Sequence, residues 1–157
     1  MKVLVLYNID PVWSKSEIID ARNSNNFLFN SLKDEGIKTY IEELNSPDLG
    51  KILQRYNPGD TIILNLCETL PGVPLSERKV PEIIENNGFT YTGNVPEVLE
   101  LSYEKQKVKE VLCSMGIRVP YGAVLTPEEA EGWNLFPAIV TFPGTLQPNY
   151  QRKVSSL

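Results

Sequence analysis

The chain has 157 residues, 41% of them apolar and 22% charged, with a formal net charge of −5 and no histidine. That size allows one domain, or one domain and part of another, and the acidic balance without a basic cluster excludes nucleic acid as a partner. The lack of histidine excludes Ser-His-Asp and Cys-His catalysis within the chain and removes the commonest zinc ligand.

Met1-Lys2 leads straight into Val3-Leu4-Val5-Leu6, a short aliphatic run that predicts a buried first strand over residues 2–7. No cleavage region of a signal peptide precedes it, and the longest apolar runs fall far short of the ~20 residues of a membrane-spanning helix. The expectation is a cytoplasmic protein without membrane attachment. A polar stretch over 8–16, with Asp10-Pro11 as a turn signal, is followed by a helical segment predicted to end at Glu35. Phe27, Leu28 and Leu32 are expected on its apolar face, and Gly36 stands where a C-terminal cap glycine belongs. The start of this helix is open, because Asn23-Ser24-Asn25-Asn26 favours caps and turns.

A second strand is predicted over 37–41, then a short helix over 47–56. Asn57-Pro58-Gly59-Asp60 fits a type II turn, which takes proline at its second position and glycine at its third. Residues 61–66 predict a third strand, apolar throughout. Val80, Ile83, Ile84 and Asn87 mark a helix closed by Gly88, and 89–92 a fourth strand. Strands alternating with helices at this spacing predict a doubly wound, parallel α/β sheet of Rossmann-like type, covered on both faces. Ligands in such sheets bind at the carboxyl ends of the strands, which directs attention to the loops 8–16, 65–77 and 91–96.

Pro96 opens a different region. Val108, Val111, Leu112 and Met115 recur at helical spacing, with Ser102 as the expected N-cap and Gly116 just past the end. Residues 117–120 predict a loop before Pro120, 121–125 a strand, and Thr126-Pro127-Glu128-Glu129 a capping box opening a short helix. Residues 136–142 predict another strand, and 143–157 a poorly ordered tail. The expected organisation is an α/β domain over 1–95, a linker helix and the start of a second, α+β domain over 96–142, and the tail. Cys67 and Cys113, too far apart in sequence for a zinc motif or a disulfide framework, are expected as reduced, mostly buried thiols.

Several pieces recur in one order: Asn65-Leu66-Cys67-Glu68, then Glu77, Val80-Pro81, Ile84-Glu85, Tyr91-Thr92-Gly93, Lys105, Lys109 and Gly116-Ile117-Arg118-Val119-Pro120. Together they resemble the N-terminal part of an ATP-grasp carboxylate–amine ligase of the D-alanine–D-alanine ligase-like family, over about residues 1–140. The resemblance implies an ATP-dependent, ADP-forming ligase that uses Mg2+ and takes an amino acid or similar carboxylate, in a family whose members often pair as homodimers.

It also implies roles for three residues. Lys105, at the edge of the apolar stripe in the first helical turn, would contact nucleotide phosphates, in keeping with a stem lying along the core and helix N–H groups that favour anions. A solvated surface lysine is the plain alternative, with Lys107 and Lys109 nearby. Glu68, after the third strand, and Glu17, at the end of Ser14-Lys15-Ser16-Glu17, would hold substrate. A polar capping loop is the plain alternative for Glu17, and a glutamate favoured by a helix dipole is the alternative for Glu68 and Glu77.

The pattern also breaks. Glu104 replaces an expected aspartate, Thr141 stands where a phosphate-binding lysine is expected, and Cys67-Glu68 occupies the neighbourhood of an expected histidine. The region that would carry the magnesium ligands is not in the chain. The expectation is therefore a fragment or truncated member of such a ligase, inactive alone and binding no cofactor tightly; the alternative is a non-catalytic α/β binding or interaction module. A receiver-like domain is disfavoured, because Asn65 stands where it would need an aspartate.

Overall fold

The structure, a computed structural model, describes residues 1–134. The strand expected over 136–142 and the tail lie outside the described residues. Contacts divide the chain into two units, Met1–Glu100 and Leu101–Leu157.

The first unit is an α/β sheet. Its elements are β1 (Lys2–Asn8), α1 (Lys15–Asp34), β2 (Thr39–Leu44), α2 (Leu49–Leu53), β3 (Thr61–Leu66), α3 (Lys79–Asn86) and β4 (Thr90–Tyr91). The four strands are parallel in the order β2-β1-β3-β4. The chain steps outward from β1 to β2, then reverses across β1 to β3 and on to β4. Crossovers of one hand that move in opposite directions put their helices on opposite faces. α1 accordingly packs on β1 and β2, while α2 and α3 pack together and share the core cluster of Leu4, Leu6, Leu44, Leu49, Leu53, Ile63, Val80 and Ile84.

Register sorts the side chains. Leu4 pairs with Ile63 and Tyr40, and faces the α2–α3 side; Val5 pairs with Leu64 and Ile41, and faces the other. β1 is buried on both faces from Leu4 to Asn8, as its aliphatic run predicts. β3 is not. Thr61 and Ile63 are buried, Ile62 and Leu64 are half-buried, and Leu66 is exposed. Among the described residues, α1 packs on that face over β1 and β2 and leaves β3 half covered.

α1 runs unbroken through the asparagines, and its inner stripe is Ile18, Ala21, Asn25, Leu28 and Leu32, at intervals of three and four. Phe27, expected inward, falls off this stripe and is 76% exposed. Asn25 fits because its Nδ2 donates to the Ala21 carbonyl at 2.8 Å, satisfying the amide within the helix. β2 begins two residues later and ends three later than the sequence predicts, and the helix expected over 47–56 contracts to α2. Gly59 does not adopt a positive φ, so the Asn57–Asp60 turn is not type II. Asn57 instead accepts from the Gly59 N–H with its side chain at 2.9 Å, an Asx turn that needs no left-handed residue.

α4 (Pro96–Tyr103) begins in the first unit and ends in the second. In the second unit, α5 (Lys105–Ser114) carries the predicted stripe, with Val108 and Leu112 half-buried and Val111 and Met115 exposed. Its N-cap is Glu104, without a side-chain cap bond, while Ser102 belongs to α4. The chain makes two short helices where the sequence predicts one. Residues 121–125 form no strand; the Tyr121 ring stacks on Trp133 with centroids 6.0 Å apart. The capping box opens α6 (Pro127–Ala130) as expected, with the Glu129 N–H donating to Thr126 Oγ1 and the Thr126 N–H to Glu129 Oε2. No helix among the described residues is long and apolar enough to cross a membrane.

Candidate functional site

The reversal of strand order lies between β1 and β3, and the loops leaving these two strands meet at their carboxyl ends, where parallel sheets commonly receive ligands. Side chains tie this loop cluster together. Asn8, the last residue of β1, accepts from the Glu68 N–H with Oδ1 at 3.0 Å, across sixty positions of sequence. Asp10 accepts from the Val12 N–H with one carboxylate oxygen at 3.0 Å and from the Gly72 N–H with the other at 3.3 Å. The loop after β1 and the loop after β3 are thereby fixed to each other.

The β3 loop has its own internal support. Ser76 is fully buried; its hydroxyl donates to the Val73 carbonyl at 2.5 Å and accepts from the Leu70 N–H at 2.8 Å. Leu75, beside it, is the one described non-glycine residue with a positive φ, at 53°, a conformation that costs an L-residue about 1–2 kcal/mol. The Ser76 bonds and the Asp10 link hold the loop in that form. Asn65 turns the chain out of β3 by accepting from the Cys67 N–H at 3.2 Å, and its own N–H donates to Thr92 Oγ1 at 3.2 Å. Thr92 follows β4, so the Tyr91-Thr92-Gly93 segment borders the same end of the sheet, with Gly93 at φ 120°, a value open only to glycine.

The three predicted site residues fall in different settings. Glu68 lies in this loop cluster, its backbone held by Asn8 and its side chain exposed. Glu17 is at the third position of α1, where its carboxylate accepts from the Ser14 N–H at 2.7 Å while its own N–H donates to Ser14 Oγ at 3.3 Å. That capping box holds the Glu17 carboxyl below the usual carboxylate range, through the Ser14 bonds. No hydrogen bond or ion pair among the described residues joins Glu17 to Glu68. Lys105 is the first residue of α5, exposed, in the second unit. Glu77 is half-buried in the turn ahead of α3 rather than in its first turn.

Cys67 is half-buried, and burial pushes its thiol up to about 12, which makes it a poor nucleophile at neutral pH. Cys113, expected inside, is exposed, because it lies off the α5 stripe of Val108 and Leu112. Among the described residues no three acidic or cysteine side chains converge as a metal centre. Asn8, Asp10 and Ser76 are absent from the sequence-based site. The one local signal for them is Asn8, a polar residue closing an otherwise apolar strand. No protein-family model matches the chain, and no curated protein and no solved structure matches it.

Proposed function

We propose that the chain is the N-terminal region of an ATP-dependent, ADP-forming carboxylate–amine ligase of ATP-grasp type, acting on an amino acid or similar carboxylate in the cytoplasm. In this reading the first unit supplies one wall of the substrate pocket and the second unit begins the nucleotide-binding domain. The observation that supports it most is the position of Asn65-Leu66-Cys67-Glu68. This turn leaves β3 at the strand-order reversal, where a parallel sheet receives ligands. Lys105 at the start of α5 also fits a phosphate contact, since the exposed N–H groups of a helix start favour anions.

Activating a carboxylate as an acyl phosphate needs cationic and metal charge around the phosphates. Mg2+ would supply that charge in the complete enzyme, from ligands outside the described residues. The isolated 157-residue chain accordingly turns nothing over. Thr141, in the place of an expected lysine, favours a second reading, a binding module that keeps the fold without the chemistry.

The test is phosphate release by the gene's full-length product with ATP and pairs of amino acids. The ligase reading expects ATP-dependent amide formation, lowered about 10²–10³-fold in kcat by Lys105→Ala. Amide formation by the 157-residue chain alone, or no ATP turnover by the full-length product with any pair, contradicts it.

A further inference from the structure

The second unit carries a cavity of about 340 Å3 between α5 and the loop that follows it, open to solvent. That volume lies at the small end of ligand pockets. Lys109 stands in its wall, half-buried, with no hydrogen bond or ion pair among the described residues. The facing loop makes room for its ammonium. Nζ lies 2.3 Å from where a Cβ on Gly122 would stand, and Gly122 lines the same cavity. A side chain at 122 would push the cation aside.

The rest of the lining selects the ligand's chemistry. An unpaired ammonium partly shielded from water attracts an anion. Glu110 also lines the cavity, with Oε1 accepting from Gln106 Nε2 at 3.2 Å. With one cation and one carboxylate in the wall, a single negative charge is accommodated, whereas a phosphate or nucleotide, carrying more, is repelled. The wall opposite α5 is apolar. Val119 and Pro120 line it beside Tyr121, whose ring stacks on Trp133 with centroids 6.0 Å apart. We infer that this cavity binds a small monocarboxylate with an apolar or aromatic body, its carboxylate on Lys109 Nζ and its body against Val119, Pro120 and Tyr121. The inference does not rest on the ligase reading, which gives Lys109 no role.

Cys113 reports occupancy. Its thiol is exposed in the cavity wall, whereas the Cys67 thiol is half-buried and pushed up to about 12, which keeps it unreactive. The experiment follows alkylation of Cys113 by iodoacetamide in the full 157-residue chain, read by peptide mass, against rising phenylacetate. The expected result is a saturable slowing of the reaction. Acetate, without the apolar body, and inorganic phosphate should each protect about tenfold less well. Lys109→Gln should weaken protection by phenylacetate about tenfold, while Lys107→Gln, whose lysine pairs with Glu104, should leave it unchanged. The wild-type series with the three anions decides the matter even where a variant fails to fold. A reaction that no phenylacetate concentration slows overturns the inference, as does equal protection by acetate or phosphate, or undiminished protection in folded Lys109→Gln.

Discussion

Glu43 is a residue whose surroundings tie the first unit's stability to acid. On the α1 side of the sheet its carboxylate accepts from Tyr7 Oη at 3.0 Å and from Arg22 Nε and a terminal guanidinium nitrogen at 2.7 and 2.8 Å. The Arg22 bonds, and after them the Tyr7 bond, hold the Glu43 carboxyl below its usual range against the opposing effect of burial. A depressed folded value means stability that is fully present above about pH 4.3, the unfolded value, and is lost as pH falls through the folded one. Tyr7 runs the other way. Burial first, then Glu43, raise it to about 12, so its contribution is complete below about pH 10 and is lost as pH climbs through 12. Glu43→Gln should therefore reduce the loss of stability on acidification, measured as the shift of the urea midpoint between pH 6 and pH 3. An unchanged acid shift in the variant would show that other carboxylates carry it. None of this cluster is legible in sequence, since Tyr7, Arg22 and Glu43 meet only once β1, α1 and β2 are assembled.

Three helices stop by one device, and that device is written locally. After α1, the Gly36 N–H donates to the Lys33 carbonyl at 2.9 Å and the Ile37 N–H to the Leu32 carbonyl at 3.1 Å, with Gly36 at φ 77°. The same pair of bonds recurs around Gly88 after α3 and Gly116 after α5. Each time an apolar residue follows the glycine and pairs with an apolar residue five places back: Ile37 with Leu32, Phe89 with Ile84, Ile117 with Leu112. The helix ends were thus legible from glycine and its flanking residues, as was β3, whose bounds match its apolar run. A Cβ at Gly36 meets nothing within 4 Å, so Gly36→Ala should cost only the left-handed backbone penalty, about 1–2 kcal/mol by urea denaturation. A cost near zero would mean the helix end refolds around the alanine. What sequence left hidden depends on neighbours. Residues 121–125 have strand-like side chains but no strand to pair with among the described residues, and the orientation of α1 turns on a 3.6-residue stripe that the Phe27-Leu28 pair alone does not resolve.

At the scale of the molecule, the buried apolar cluster among the described residues lies on one side of the sheet. Ile63 is fully buried at the centre of the cluster between β1, β3, α2 and α3, while Phe27 stands 76% exposed on α1. Ile63→Ala should cost about 2–5 kcal/mol, and Phe27→Ala no more than about 0.5 kcal/mol, both read from urea midpoints. A comparable loss for the two would place the cooperative core elsewhere. The loop cluster was legible only as a location: the alternation of strands and helices pointed to the carboxyl ends of the strands. The bonds that build it, from Asn8 to Glu68 and from Asp10 to Gly72, join positions 60 and 62 residues apart. In the second unit Val111 and Met115 are exposed on a stripe patterned for burial. The central claim, that this chain is the opening part of a ligase, is tested most directly by the intact mass of the gene's product isolated from its native cells. The account predicts a mass roughly twice the 17.7 kDa of this chain, as further domains of ordinary size require. A product of 17.7 kDa would contradict it.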